Sequence, residues 1–261
     1  MIRKLTTSLA LLGALTAAVA MAAQEPDISG LYNIAGGFGP ASSASLEALK
    51  PYAPQKLHGV EASAHLLPWA KARMEASSLY SAIDDQGAVC GPTGFFRHPT
   101  TVAGYMVLQI PGEVILVSED LSQVGVRRVH LTSRHPRNIR PSWNGDSIGR
   151  WEGDTLVVDT IGFNDKSWLG SELQPHTEEL HVVERIRTVK DGKFLEIQST
   201  IDDRKALTGP YDYTRYYQRT DGSYEDNASS CNGNEGEQET WAYMRDQAIS
   251  QFNLNRQAVK R

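Results

Sequence analysis

The chain has 261 residues, with 26 Lys and Arg against 31 Asp and Glu, a formal charge of −5. That length suffices for a substantial hydrophobic core, and all-β domains of this size are often single. The acidic balance, with no basic run to offset it, excludes nucleic acid and anionic membrane as partners recruited by long-range charge.

Arg3 and Lys4 precede an apolar stretch, 9–19, and Ala20-Met21-Ala22 follows it with small side chains where a signal peptidase needs them. The apolar run is shorter than the ~20 residues of a membrane span. Residues 1–22 therefore read as a cleaved signal peptide, leaving 23–261 as one periplasmic or extracellular domain with no integral membrane segment. Without Arg3 and Lys4 the chain carries 24 basic and 31 acidic residues, a charge of −7. The two cysteines, Cys90 and Cys231, fit a disulfide in an oxidising compartment, the alternative being a reactive thiol. Closing so long a loop is worth about 3–5 kcal/mol in the chain-entropy model.

From 24 to 54 the chain is rich in Gly, Ala, Ser and Pro, with one short strand at 28–33. The spacing of Leu67, Ala70, Met74 and Ser77 predicts a helix over 65–78, with Pro68 tolerated in its first turn. Strand patterns dominate from Tyr105 on. Segments 105–110 and 114–119 flank Pro111-Gly112, a hairpin signal, and 125–132 follows. Trp143-Asn144-Gly145-Asp146-Ser147 is nearly repeated as Trp151-Glu152-Gly153-Asp154-Thr155, which brackets short strands at 147–151 and 155–162. Strands at 180–189, 194–202 and 211–220 complete the set, with a further candidate at 224–228 and a tail helix at 238–252. About nine short strands with no helix between consecutive ones exclude a βαβ design. The expected fold is mainly β: an antiparallel up-and-down barrel, 105–228, capped by the helix of the 23–104 region, with 229–261 as a tail. A two-sheet sandwich is the alternative.

Strand alternation sorts the titratable residues by face. Leu180, Val182, Glu184 and Ile186 share one face of their strand; His181, Val183, Arg185 and Arg187 share the other. Tyr211, Tyr213, Arg215, Tyr217 and Arg219 share a face, as do Arg128 and His130, while Asp159 lies between Val157 and Ile161. Asp159 and Glu184 thus fall among apolar neighbours, where desolvation raises a carboxyl pKa toward the range of proton transfer; a structural ion pair is the plainer alternative. His176 and His181 bracket a short acidic segment. Their five-residue spacing misses the i, i+4 zinc pair. A zinc set built with His130, Glu178 or Glu179 is not demanded by any spacing, and acid–base use suits these histidines better. Arg97-His98-Pro99 and Arg134-His135-Pro136 read as rigid rim positions or turn formers. No Gly-x-Ser-x-Gly elbow, P-loop or dinucleotide fingerprint is present, so no nucleotide cofactor is expected.

The string from Gly149 to Asp165 (GRWEGDTLVVDTIGFND), with Trp168-Leu169, Pro175-His176, Leu180-His-Val-Val-Glu-Arg185, Thr200-Ile-Asp-Asp203, Cys90-Gly-Pro-Thr-Gly94 and Arg134-His-Pro136, resembles a group of uncharacterised exported bacterial proteins. The likeness runs from about Cys90 to Cys231. It implies export and a calycin-like, that is lipocalin-like, barrel, and brings no established activity with it. Asp146 and Gly170 depart from the group's pattern, in which His and Asp are common at those positions.

The leading expectation is a barrel enzyme, a lyase, isomerase or hydrolase, acting on a small organic substrate by acid–base chemistry without a cofactor. Asp159, His176, His181 and Glu184 are the candidate acids and bases. His130, Trp168, Arg185, Tyr213 and Arg215 are the candidate substrate-binding residues. The alternatives are a carrier of an apolar ligand and an envelope domain for protein contacts.

Overall fold

The computed structural model describes residues 25–35, 49, 58–79, 94, 105–118, 126–170 and 172–221. Cys90 and Cys231, the leader 1–22, the strand candidate 224–228 and the tail helix 238–252 lie outside the described residues. Among the described residues no helix is long and apolar enough to cross a membrane.

Nine strands close into one barrel, each neighbouring the next in sequence: β1 (Gly30–Ile34), β2 (Tyr105–Ile110), β3 (Glu113–Ser118), β4 (Val126–His130), β5 (Asp146–Glu152), β6 (Thr155–Ile161), β7 (His181–Val189), β8 (Phe194–Asp202) and β9 (Tyr211–Thr220). Closure pairs β9 with β1, so neither end of the sheet is left as an edge. Turn chemistry sets several of the registers. Pro111 and Gly112 form the two-residue link that pairs Ile110 with Glu113, Gly112 taking a φ of 83° that its missing Cβ makes unstrained. Lys190, Asp191 and Gly192 all adopt positive φ at the tight link from β7 to β8.

One pair departs from the antiparallel expectation. β4 and β5 run parallel, through Val129↔Ser147 and His130↔Ile148. Parallel neighbours require the chain to travel back the length of the strand, so a tight turn cannot join them. The connection 131–145 does this along the outer wall: Ser142 bridges Phe163, and Ile139 lies where a Cβ on Gly162 would stand.

The predicted helix appears as α1 (His58–Ala64) and α2 (Pro68–Leu79), with Pro68 at the first helical position, where its missing N–H costs nothing. Leu66 bridges Leu207, and Ala62, Leu66 and Ala70 pack with Leu180, Val182, Ile201 and Tyr211, covering one end of the barrel. A second buried cluster joins the inward-facing Val107, Leu116, Val129, Leu156, Val158, Ile186 and Leu195.

Register shows which face is inside. Thr160↔Val182, Val158↔Glu184 and Leu156↔Ile186 link the inward sides of β6 and β7, and Ser199↔Tyr213 and Ile197↔Arg215 link those of β8 and β9. Tyr211, Tyr213, Arg215 and Tyr217 therefore point in with Glu184, whereas His181 and Arg185 point out. Inside this apolar wall sits an ionic group. Arg127 on β4 donates to Glu184 at 2.5 Å, to Thr160 Oγ1 at 2.7 Å and, through Nε, to Ser147 Oγ at 3.0 Å. Arg127 and Glu184 are 2 % and 1 % exposed, so each relies on the other for its solvation.

Arg127→Leu leaves the Glu184 charge buried without its counter-ion and is expected to cost about 3–5 kcal/mol in urea unfolding. Combining it with Glu184→Leu should recover most of that loss. A single variant as stable as the wild type would show that the pair does not carry this end of the interior.

Candidate active site

The titratable groups gather on the outside of the barrel, where the returning connection lies against β5 and β6. Asp146 and Asp159 face out from these two strands, as their partners Ile161 and Ile148 do. His135, in the connection, sits between them: Nδ1 is 2.6 Å from Asp146 Oδ1 and Nε2 is 3.0 Å from Asp159 Oδ1. His181, at the start of β7, places Nε2 3.2 Å from the same Asp159 oxygen. The result is a chain, Asp146–His135–Asp159–His181, running across three strands and one connection.

The partners dictate the protons. An ionised carboxylate only accepts, so a ring nitrogen facing one must carry hydrogen. His135 faces a carboxylate with each nitrogen and is therefore an imidazolium. Partial burial pushes its pKa down, but the hydrogen bonds to Asp146 and Asp159 and their charges outweigh this, and the net displacement is upward. His181 faces Asp159 with Nε2, and its Nδ1 has no hydrogen-bond partner among the described residues. Its side chain is 41 % exposed and lines the groove described next. Asp159 is 33 % exposed rather than enclosed among apolar neighbours.

Beside His181 a groove of about 520 Å3 runs along the wall. Ile139, Ile161 and Leu180 give it an apolar floor, and Glu178, Asp202 and Arg204 a charged rim. Its shape depends on Asp203, a fully buried carboxylate on the turn after β8. Asp203 accepts from the Thr177 N–H at 2.6 Å, from Thr177 Oγ1 at 2.9 Å and from the Lys205 N–H at 3.0 Å. These bonds tie the segment that leads into β7, and so the approach to His181, to the following turn.

Of the residues singled out from sequence, Asp159 and His181 come together here. The others do not. His176 is buried, 4 % exposed, between Ser167 Oγ, 2.7 Å from Nε2, and the Thr177 carbonyl, 3.1 Å from Nδ1. The carbonyl fixes the proton on Nδ1, so Nε2 accepts from Ser167; burial holds the His176 pKa below the ordinary histidine value. Glu184 is inside the barrel with Arg127, and Tyr213 and Arg215 are inside as well. His130 is exposed beside Glu113, at 3.2 Å. Arg185 lies on the outer face, 2.9 Å from Glu152. Trp168 is buried, with the Arg73 guanidinium 5.4 Å from its ring centre. His135 and Asp146, half of the chain, were not among the candidates. Among the described residues no group of three or more His, Cys, Asp or Glu is placed to hold a metal ion. No protein-family model matches this chain, and no curated protein matches it.

The charge state of His135 sets a pH signature. Its folded pKa lies above the unfolded value near 6.5, so the stability it contributes is complete below about pH 6.5 and is lost as pH rises through the folded value. Asp146→Asn removes one of its two carboxylates. In urea unfolding from pH 5 to 9, the gap between wild type and this variant should be widest at the acid end and shrink as pH rises; a gap that widens with pH contradicts the imidazolium.

Proposed function

We propose that this protein is an exported enzyme that performs acid–base chemistry on a small organic molecule bound in the outer-wall groove. The observation that carries the reading is His181: its Nε2 faces Asp159 at 3.2 Å, and its side chain lines the groove. A base held in one tautomer by a carboxylate is the arrangement that proton abstraction requires. His135, as an imidazolium on the same carboxylate oxygen, holds Asp159 in place, and Asp146 holds His135. In this reading Asp159, His135 and Asp146 are positioning residues, and His181 takes the proton and returns it.

The groove suits a substrate with an apolar portion over Ile139 and Ile161 and a polar or charged group toward Arg204. A lyase, an isomerase and a hydrolase all need such a proton carrier, and none of these reactions calls for a cofactor here. Export is supported by the pattern of residues 1–22. The apolar-carrier reading is the weaker one, because the inward positions include Arg127, Glu184 and Arg215.

The test is turnover, or deuterium uptake from D2O, across a panel of small carbonyl compounds, hydroxy acids and esters. His181→Gln and Asp159→Asn are expected to lower the rate by about 10²–10⁴, the usual contribution of a positioned acid or base. Asp191→Asn, in the link between β7 and β8, should leave it unchanged. Wild-type rates in both site variants would sink the proposal.

A further inference from the structure

The inward positions of the nine strands carry three guanidinium groups, on Arg127, Arg215 and Arg219, and one carboxylate, Glu184. Two of the three are accounted for. Arg127 holds Glu184. Arg219 donates to the carbonyls of Gly192 at 2.8 Å and Ser29 at 2.5 Å and to Tyr32 Oη at 2.5 Å, and its guanidinium lies 4.7 Å from the Tyr32 ring centre. Arg215 differs from both. It is 7 % exposed, no carboxylate among the described residues pairs with it, and its buried Nε has no hydrogen-bond partner. Its guanidinium carbon lies 6.0 Å from the ring centre of Tyr213. A buried cation without a counter-ion is costly.

A second donor without an acceptor faces the same interior. Arg215 pairs in register with Ile197, Ile197 with Ile186, Ile186 with Leu156 and Leu156 with Trp151, so one row of inward positions joins Arg215 to Trp151. The two residues stand four strands apart in a ring of nine, on opposite walls. Trp151 Nε1–H is buried and has no hydrogen-bond partner. β4 pairs with β5 only as far as Ile148, and beyond that point a cleft of about 350 Å3 lies against the wall, lined in part by Leu131 and by two inward-facing positions, Gly149 and Trp151.

We propose that the barrel interior is a binding site for a small organic carboxylate with an apolar body, its carboxylate on Arg215 and its body toward Trp151. The planar guanidinium fork matches a carboxylate in two-bond geometry. Tyr213 and Tyr217 flank Arg215 on the same face of β9, and burial pushes both hydroxyls above the ordinary tyrosine range, so each keeps its proton and stays a donor. Aromatic and aliphatic walls, Tyr217, Ile197 and Trp151, suit the apolar body. This site lies on the opposite side of the wall from His181 and stands independently of the acid–base reading.

The experiment uses the full chain with 3-phenylpropionate, its neutral counterpart 3-phenylpropan-1-ol, and inorganic phosphate as probes, followed by tryptophan fluorescence and by the shift in melting temperature. The wild type is expected to bind 3-phenylpropionate saturably, at least tenfold more tightly than the alcohol, and to melt at a higher temperature in its presence. Phosphate should not compete at equal concentration. Arg215→Gln should lose at least tenfold in affinity for the acid and keep its weak affinity for the alcohol, with Arg215→Lys between the two. Should Arg215→Gln fail to fold, the acid-over-alcohol preference of the wild type and the Arg215→Lys series decide the matter. Equal affinity for acid and alcohol, no binding of either, or full displacement by phosphate would overturn the proposal.

Discussion

A closed sheet of nine strands taken in sequence order cannot alternate direction all the way round, because nine is odd: one neighbouring pair must run parallel. In this barrel the parallel pair is β4 and β5. Every other described link can be a turn or a loop that stays at one end, but here the chain has to return along the wall before starting β5. The connection 131–145 is that return. It lays His135 onto the outward-facing Asp146 and Asp159, and it carries Ile139 into the floor of the groove beside His181. The same short pairing leaves β5 unpaired on its β4 side beyond Ile148, which is where the cleft beside Trp151 lies. Both candidate sites thus follow from one topological requirement.

Strand alternation then separates two chemistries across one wall. On β7, His181 faces out toward Asp159 while Val182, Glu184 and Ile186 face in. On β6, Asp159 faces out while Val158 and Thr160 face in. The outer cluster stays partly solvated, which allows carboxylates and an imidazolium to remain charged at modest cost. The inner one is buried: Glu184 has Arg127, which also donates to the Ser147 and Thr160 hydroxyls, whereas Arg215 has no counter-ion among the described side chains. A barrel whose interior was meant only to be filled would be more stable with an apolar residue at that position.

Much of the barrel was legible in the sequence because turn residues and two-residue alternation are local signals. The links at Pro111-Gly112 and Lys190-Asp191-Gly192 mark hairpins, and the observed strands from β2 to β9 match the segments read from hydropathy to within a residue or two. Alternation also placed Tyr213, Arg215 and Tyr217 on one face, and Glu184 opposite His181. It could not say which face was inside, since both faces of β7 mix apolar and charged residues. The parallel step was not legible at all. A loop with Gly, Pro, Ser and Arg looks the same whether it turns back at once or travels along a wall, so Arg134-His135-Pro136 read as a rim or a turn. Asp159 was expected among apolar neighbours because its flanking residues on β6 are apolar, yet Val157 and Ile161 share its face on the partly exposed outside. Arg127 had no local signal, because its partner Glu184 is three strands away.

The central claim is that the returning connection places His135, doubly protonated, between two carboxylates and so holds Asp159 and His181 ready for proton transfer. Ring 15N–1H correlation spectra of the histidines at neutral pH test it most directly. The geometry predicts that both ring nitrogens of His135 carry hydrogen and that His181 is the neutral Nε2–H tautomer. A neutral His135 with one bare ring nitrogen, or a His181 protonated on Nδ1 alone, would contradict the account.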